Sequence, residues 1–311
     1  MGQIMAAGGI NMDIVVQTAR QPLPGETIIG TDLHYIPGGK GSNQAVAASR
    51  LGGDVSFIGK VGSDSFGLRL KKFLDSEKLC TDGVSIAEGS PTGIALVVVD
   101  KSSENSIVAI PGSNAELSAT DIARIEMNPG VIAISQFEIP FDTIEVFFEQ
   151  ARLSDGITIL NPSPAKKCPS KLLSLADYMI LDETELAFFA DLTDVSEEIE
   201  EIFAHAKAIR AFPDQTIIVT LGAKGVVCST NDELIQIPGH AVEAADTTGA
   251  GDCFVGAIAT ALSSKQELKS AIEFANAAAA VSVQRFGAST SLPTLDEVKS
   301  FPGFQEVSSC T

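Results

Sequence analysis

Ala245-Asp246-Thr247-Thr248-Gly249-Ala250-Gly251-Asp252-Cys253-Phe254 is the stretch on which the reading of this chain turns. Two glycines straddle an alanine, an acid follows at once, and an apolar-periodic helix then begins with Phe254, Val255, Ile258, Ala261 and Leu262. Glycine lets the backbone turn tightly and lets a ligand approach without a Cβ in the way. A helix start aims unpaired N–H groups and the positive end of its dipole at the same space. Together these make an anion site. Asp252 sits at its lip, where a carboxylate could take a proton from a hydroxyl attacking that anion. Taken alone, Asp252 reads more readily as a helix N-cap after a flexible turn than as a catalyst.

A second glycine loop, Pro37-Gly38-Gly39-Lys40-Gly41-Ser42-Asn43, opens a small-residue helix expected over Gln44 to Leu51. It does not match the phosphate loop G-x-x-x-x-G-K-[ST], and Gly39-Lys40-Gly41 lacks the third glycine of a dinucleotide fingerprint. That omission is the main objection to a dinucleotide-dependent dehydrogenase.

Around these loops the chain alternates. Ile4 to Ile10, Val55 to Val61, Val131 to Ser135, Thr158 to Leu160, Tyr178 to Leu181 and Thr216 to Thr220 read as buried strands. Helical periodicity lies between them, at Phe66, Leu70, Phe73 and Leu74, at Phe141 to Gln150, at Leu172 to Leu175 and at Glu198 to Arg210, with a further helix over Glu267 to Val283. Val226 to Ser229 and Leu234 to Ile237 form another strand pair. The alternation predicts an α/β fold with a mostly parallel sheet and helices on both faces. Several strands end in polar or glycine residues (Asn11, Glu138, Asn161, Asp182, Gly222), which lines candidate ligand groups along one sheet edge. Thr92 to Val99 and Asn105 to Ile110, joined by Asp100 to Glu104, read as a hairpin that leaves the main sheet. With Val15, Val16 and Thr27 to Ile36 it could form a small separate sheet.

Composition narrows the partners. The 311 residues suffice for one large domain. The net charge of −19 disfavours nucleic acid and anionic membrane surfaces as partners. An anionic ligand would need a locally positive site, from amides, a helix end, Lys40 and cations. Cys80, Cys168, Cys228, Cys253 and Cys310 are odd in number and form no C-x-x-C pair, so they read as reduced structural thiols. His34, His205 and His240 fit no zinc spacing and read as structural or surface groups. A charged leader is lacking, and the most apolar stretch, Ala277 to Val283, is too short to span a bilayer; the expectation is a cytoplasmic protein.

The pairing of Gly38-Gly39-Lys40-Gly41-Ser42-Asn43-Gln44-Ala45 with Asp246-Thr247-Thr248-Gly249-Ala250-Gly251-Asp252 resembles the two signatures of the ribokinase-like (PfkB) carbohydrate kinases. The resemblance extends over nearly the whole chain, through Gly9-Ile10-Asn11-Met12-Asp13, Pro24-Gly25-Glu26-Thr27, Asn161-Pro162-Ser163-Pro164-Ala165, Glu183-Thr184-Glu185 and Thr220-Leu221-Gly222-Ala223-Lys224-Gly225. It implies a three-layer α/β sandwich with a small β-sheet lid, the core taking 1–12, 38–90 and 112–311 and the lid 13–37 and 91–111. The implied activity is ATP-dependent phosphorylation of a sugar hydroxyl, with ribose to ribose 5-phosphate the leading case. A kinase for another sugar or a nucleoside, or a non-catalytic sugar- or nucleotide-binding protein on this scaffold, are the alternatives.

By the same resemblance Asp252 would be the general base, and the amides of Gly249, Ala250, Gly251 and Asp252 the anion hole. The sugar positions would be Asn11, Asp13, Gly39, Lys40, Gly41, Asn43 and Glu138, with Asp252. The ATP positions would be Asp182, Thr220, Gly222, Lys224, Gly225, Gly251 and Asn276. Mg2+ would be held mainly by phosphates, with Glu185 acting indirectly through water. Asp182 departs from the family pattern, which has Asn there. An activating K+ would be bound at Asp246, Thr248, Ser282, Arg285, Gly287 and Ser291, mostly by main-chain carbonyls. The lid would also make a homodimer contact.

Overall fold

The computed structural model describes residues 2–101, 105–194, 196, 198–231 and 233–304. Some of the turn expected at Asp100 to Glu104 and all of Cys310 lie outside the described residues; Cys80, Cys168, Cys228 and Cys253 are free thiols.

Short apolar runs with period two form the main sheet. Its strands are β1 (Gln3–Ala7), β4 (Asp54–Gly62), β5 (Cys80–Ala87), β8 (Ile132–Gln136), β9 (Ile157–Asn161), β10 (Tyr178–Asp182), β11 (Thr216–Thr220), β12 (Gly225–Ser229) and β13 (Leu234–Pro238). They run in the order β13-β12-β11-β10-β9-β8-β1-β4-β5. All neighbours pair parallel except β11 with β12 and β12 with β13. A smaller four-stranded sheet, in the order β3-β2-β6-β7, contains β2 (Asn11–Gln17), β3 (Asp32–Gly38), β6 (Gly93–Val99) and β7 (Asn105–Ile110).

The helices are α1 (Lys40–Arg50), α2 (Ser65–Ser76), α3 (Ala119–Ile122), α4 (Phe141–Leu153), α5 (Ser170–Leu175), α6 (Glu183–Phe189), α7 (Ile199–Ala208), α8 (Ala250–Ser263), α9 (Leu268–Ser282), α10 (Ala288–Ser291) and α11 (Leu295–Lys299). Side-chain alternation along β1 shows how they divide. Ile4 and Ala6 pack into one core with α1, α2, α8, α9 and α11, while Met5 and Ala7 pack into a second core with α3 to α7. The sheet is therefore buried on both faces, as a mostly parallel sheet requires.

Strand order reverses between β1 and its two neighbours: β4 lies on one side and β8 on the other. Open α/β sheets bind ligands in the crevice at such a switch point. Here the carboxyl ends of β1 and β8 lead into Gly8 to Asn11 and into Phe137 and Glu138.

The structure departs from the sequence reading at some borders. Of Thr27 to Ile36 only the second half is strand: β3 starts at Asp32 and includes Pro37, which an edge strand tolerates because its N–H side needs no partner. β5 carries no apolar run and gave no signal, since it is an edge strand with a register shift against β4. Helix α1 begins four residues earlier than expected, at Lys40, because Gly39 rather than a polar side chain serves as its N-cap. Among the described residues no helix is long and apolar enough to cross a membrane.

Candidate active site

Two helix starts and two strand ends meet at the switch point. Helix α1 reaches it because Gly41 has no side chain: a Cβ there would stand 2.5 Å from the Cα of Gly8. The N–H of Ser42 donates to the carbonyl of Gly9, and the Ser42 hydroxyl to that of Gly38. Helix α8 starts from Gly249, whose φ of 79° is left-handed and which no side chain caps. The N–H of Ala250 is taken by the Thr247 carbonyl. Those of Gly251 and Asp252 have no backbone partner among the described residues and form the free anion-facing end of the helix.

Asp252 lies on the first turn of α8, only 6% exposed. Asn43 Nδ2 donates to its Oδ2 and Gln44 Nε2 to its Oδ1, both at 2.9 Å. Glu138, just past β8, accepts from the N–H of Lys40 at 2.7 Å and from Asn11 Nδ2 at 3.3 Å. Asn114 in turn donates to Asn11 Oδ1 at 2.8 Å and pins the start of β2 to the core. Asp13, on β2, completes the set.

Electrostatics in this corner are tense. Burial raises the Asp13 pKa from 3.8 to about 7, and the charges of Glu138 and Asp252 push the same way. Burial also raises Glu138, with Asp252 adding to the shift, while Lys40 and the Lys40 and Gly41 amides oppose it. Lys40 is the balancing cation. Burial pulls its pKa down, but Asp252, Glu138, Glu185 and Asp182 outweigh that and leave it raised.

Two cavities open from this point. One, of about 550 Å3, lies between the smaller sheet and the loops before α8 and α10; its walls include Asp13, Ile36, Ala95, Asp246, Thr248 and Gly287. The other, of about 220 Å3, is bordered by Thr220, Gly222, Gly225, His240, Gly251 and Asn276. The first is lined by both polar and apolar groups, with Asp13 and Asp246 among them. The second is mostly apolar, with Gly251 of α8 on its border, and Ala244 and Thr247, in the loop before α8, line both.

The comparisons with known proteins agree with this geometry. The model of the pfkB family carbohydrate kinases matches residues 1–295. The chain belongs to the pfkB carbohydrate kinase family. The ribokinase of Haemophilus influenzae is 39% identical over 299 residues, covering 94% of this chain and 96% of its own. Among solved structures, the ribokinase of Thermotoga maritima superposes with a TM-score of 0.84 at 34% identity, covering 97% of this chain and 99% of its own. That of Arabidopsis thaliana, in complex with ribose and ATP, gives 0.85 at 29% identity, over 96% and 97%.

In this pfkB kinase the residues singled out from sequence do not all fall together. Asn11, Asp13, Gly39, Lys40, Gly41, Asn43, Glu138 and Asp252 converge at the switch point. Thr220, Gly222, Gly225, Gly251 and Asn276 border the smaller cavity, whereas Lys224 and Asp182 do not line it. Asp182 is the N-cap of α6, in a reciprocal capping box with Glu185. Burial raises Glu185, and Asp182 adds to it. Asp246 ties two loops, accepting from the N–H of Thr248 at 2.9 Å and of Gly287 at 2.8 Å. Ser282 and Ser291 donate their hydroxyls to main-chain carbonyls one turn back, and the Arg285 side chain pairs with Glu297. The anion hole assigned to four amides loses Ala250, whose N–H is already bonded.

The sequence reading missed His240, which borders the smaller cavity and packs edge-on to Phe301; burial lowers its pKa. Only its place after the last strand of the main sheet, beyond Gly239, could have signalled this. It also missed Gln44 as a partner of Asp252.

Asp13 yields a pH prediction. Its folded pKa is raised, so ionising it costs stability, starting above the unfolded value near 3.8 and reaching full size above about 7. Asp13→Asn removes this cost. In thermal melts without ligand it should raise Tm by several degrees at about pH 8 and scarcely at all near pH 4. Equal Tm changes at both pH values would contradict the burial of a strained carboxylate.

Proposed function

We propose that the chain is an ATP-dependent sugar kinase acting on D-ribose and yielding D-ribose 5-phosphate. The observation that supports this reading is the buried Asp252 on the first turn of α8, whose Gly251 and Asp252 N–H groups have no backbone partner among the described residues, with Gly251 bordering the smaller, mostly apolar cavity. Its relatives' names and the Arabidopsis complex with ribose and ATP point the same way.

In the proposed reaction the sugar hydroxyl oxygen forms a bond to the γ-phosphorus of ATP. The bond from that phosphorus to the β–γ bridging oxygen breaks, and its electron pair stays on ADP. The hydroxyl proton passes to Asp252. Asn11, Asp13, Asn43 and Glu138 suit a polyol, because amides and carboxylates engage hydroxyls as donors or acceptors. Lys40 and the α8 amides offset charge on the transferred group. Apolar walls of the smaller cavity suit a purine ring.

Mg2+ would neutralise the phosphates. Among the described residues no three His, Cys, Asp or Glu side chains gather into a metal cage. The ion would be carried by phosphate and water, with Glu185 and Asp182 as outer partners. A K+ would be held by main-chain carbonyls of the loops that Asp246 ties together, with Asp246 supplying charge. Arg285 could contribute only its main-chain carbonyl, since a guanidinium has no acceptor and this one pairs with Glu297, whereas the Ser282 and Ser291 hydroxyls, which donate to main-chain carbonyls, keep oxygen lone pairs.

The smaller sheet would act as a lid from 13–37 and 91–111, excluding water as a competing acceptor. Its register supports a second role. Asp13, Val15, Ile36, Ala95 and Val97 face the larger cavity, so Ile14, Tyr35, Leu96, Val108 and Ile110 lie on the opposite face, where Ile14 packs against the main core and Tyr35 against Phe66 while Leu96, Val108 and Ile110 stay exposed. Val108 is 60% and Leu33 49% exposed on that outer face. So apolar a sheet face fits a homodimer contact.

Three outcomes follow from this reading. Asp252→Asn should fold and bind ribose yet lose at least roughly 10^3-fold in kcat; near-normal turnover would remove Asp252 as the base. ADP release across a panel of pentoses, hexoses and nucleosides, with and without potassium, should give the highest kcat/KM for ribose and a rise with K+. A higher value for another acceptor would reassign the substrate. Val108→Asp should turn a dimer into a monomer in sedimentation while leaving the circular dichroism spectrum unchanged; a wild-type monomer would end the dimer proposal.

A further inference from the structure

Asp252 is held by two amides, and one of them leads away from the ligand. Gln44 is fully buried, and a chain of side-chain amides runs behind it. Gln44 Oε1 accepts from Gln136 Nε2 at 2.6 Å, and Gln44 Nε2 donates to Asn161 Oδ1 at 3.1 Å as well as to Asp252. Asn161 Nδ2 donates to the main-chain carbonyl of Ile180 at 2.9 Å. These groups come from the first turn of α1, the last residues of β8 and β9, and the middle of β10. Burying three neutral amides costs free energy unless every bond is made. Among the described residues Gln136 Oε1 is the one end of the chain without a bond.

The chain has a direction. A side-chain amide can be turned end for end, exchanging donor and acceptor. The Ile180 carbonyl can only accept, so Asn161 must present its NH2 to that carbonyl and its oxygen to Gln44. Gln44 must then present its NH2 to Asn161. The second hydrogen of that NH2 goes to Asp252, and the Gln44 oxygen turns to Gln136. Reversing Gln44 would set its oxygen against two acceptors. The donor facing Asp252 is thus fixed by a backbone group two side chains away.

We infer that Gln44, oriented by Asn161 and Gln136, is a positioning residue that holds the Asp252 carboxylate in the rotation from which it takes the sugar hydroxyl proton. This rests on the reading of Asp252 as general base. A carboxylate turns easily about its last torsion, whose energy profile is broad. With Asn43 on one oxygen and Gln44 on the other, the plane is set and the remaining lone pairs have fixed directions. Gln44 makes no contact with the sugar in this assignment, so its loss changes the proton-accepting step and spares binding.

Steady-state kinetics on Gln44→Met, Gln44→Glu and Gln136→Met, with Asp252→Ala alongside, test this. Gln44→Met keeps the length and removes the donor; kcat should fall roughly 10- to 100-fold while KM for ribose stays within about threefold. Gln44→Glu should show a kcat that falls as pH rises between about 5.5 and 9, since its ionised form repels Asp252, whereas the wild type lacks that descending limb. Gln136→Met, one step removed and a second route if the Gln44 variants do not fold, should lower kcat several-fold with KM unchanged. Loss of turnover in Asp252→Ala with unchanged kcat and pH profile in folded Gln44 or Gln136 variants overturns the positioning role and leaves the base intact. A raised ribose KM with normal kcat overturns it too, making Gln44 a binding residue. Normal turnover in Asp252→Ala defeats the base assignment itself.

Discussion

Lys40 surrounded by Asp252, Glu138, Glu185 and Asp182 is the interaction on which the site depends. In a chain of net charge −19 a buried cluster of carboxylates would repel any polyphosphate. One ammonium among four acids, with the free end of α8 beside it, makes the corner tolerable for an anion. The cost remains visible in the raised pKa of Asp13, Glu138 and Glu185, each led by burial. Such tension suits a site that is completed by ligands: sugar hydroxyls can donate to the carboxylates, and a metal-bound phosphate can face Lys40.

Close backbone approach is what brings these groups together. Asp252, Gly256 and Thr260 lie one turn apart on the same face of α8. A Cβ on Gly256 would stand 2.6 Å from Ala47 Cβ and from the Gln44 carbonyl, and Thr260 donates to the Ala48 carbonyl at 3.2 Å. At this contact α8 and α1 touch backbone to backbone, which sets Asn43 and Gln44 against Asp252. Gly41, a turn earlier on α1, allows the same closeness against Gly8. The base and its amide partners are over 200 residues apart in sequence and are placed by residues with almost no side chain.

That explains what was legible in the sequence. The alternation of apolar runs gave the α/β class, because a strand buried on both faces leaves an unbroken hydrophobic signature. The two glycine loops pointed to the place where α1 and α8 begin side by side, because glycine at a helix start permits close backbone approach. Loops and edges were read less well. The Glu26 to Gly30 segment has strand-like residues but is held by the Arg20–Glu26 ion pair and a turn at Gly25, and backbone bonding to β2 begins only with the Thr31 N–H on the Gln17 carbonyl. His240 and Gln44 escaped because their roles depend on what stands opposite them, and a single sequence does not carry that.

The amide chain and the charged cluster divide the work at Asp252. Lys40 acts at long range and sets the energy of negative charge in the corner, whereas Asn43 and Gln44 act by contact and set direction. Neither can replace the other: a cation has no preferred orientation toward a carboxylate, and a neutral amide contributes little to net charge. The proposed role of Asp252, to accept a proton from one hydroxyl of a polyol close to a phosphorus atom, would need both. The direction is derived from the Ile180 carbonyl in the middle of the main sheet. The orientation of the Asp252 carboxylate is thereby referred to the buried centre of the main sheet.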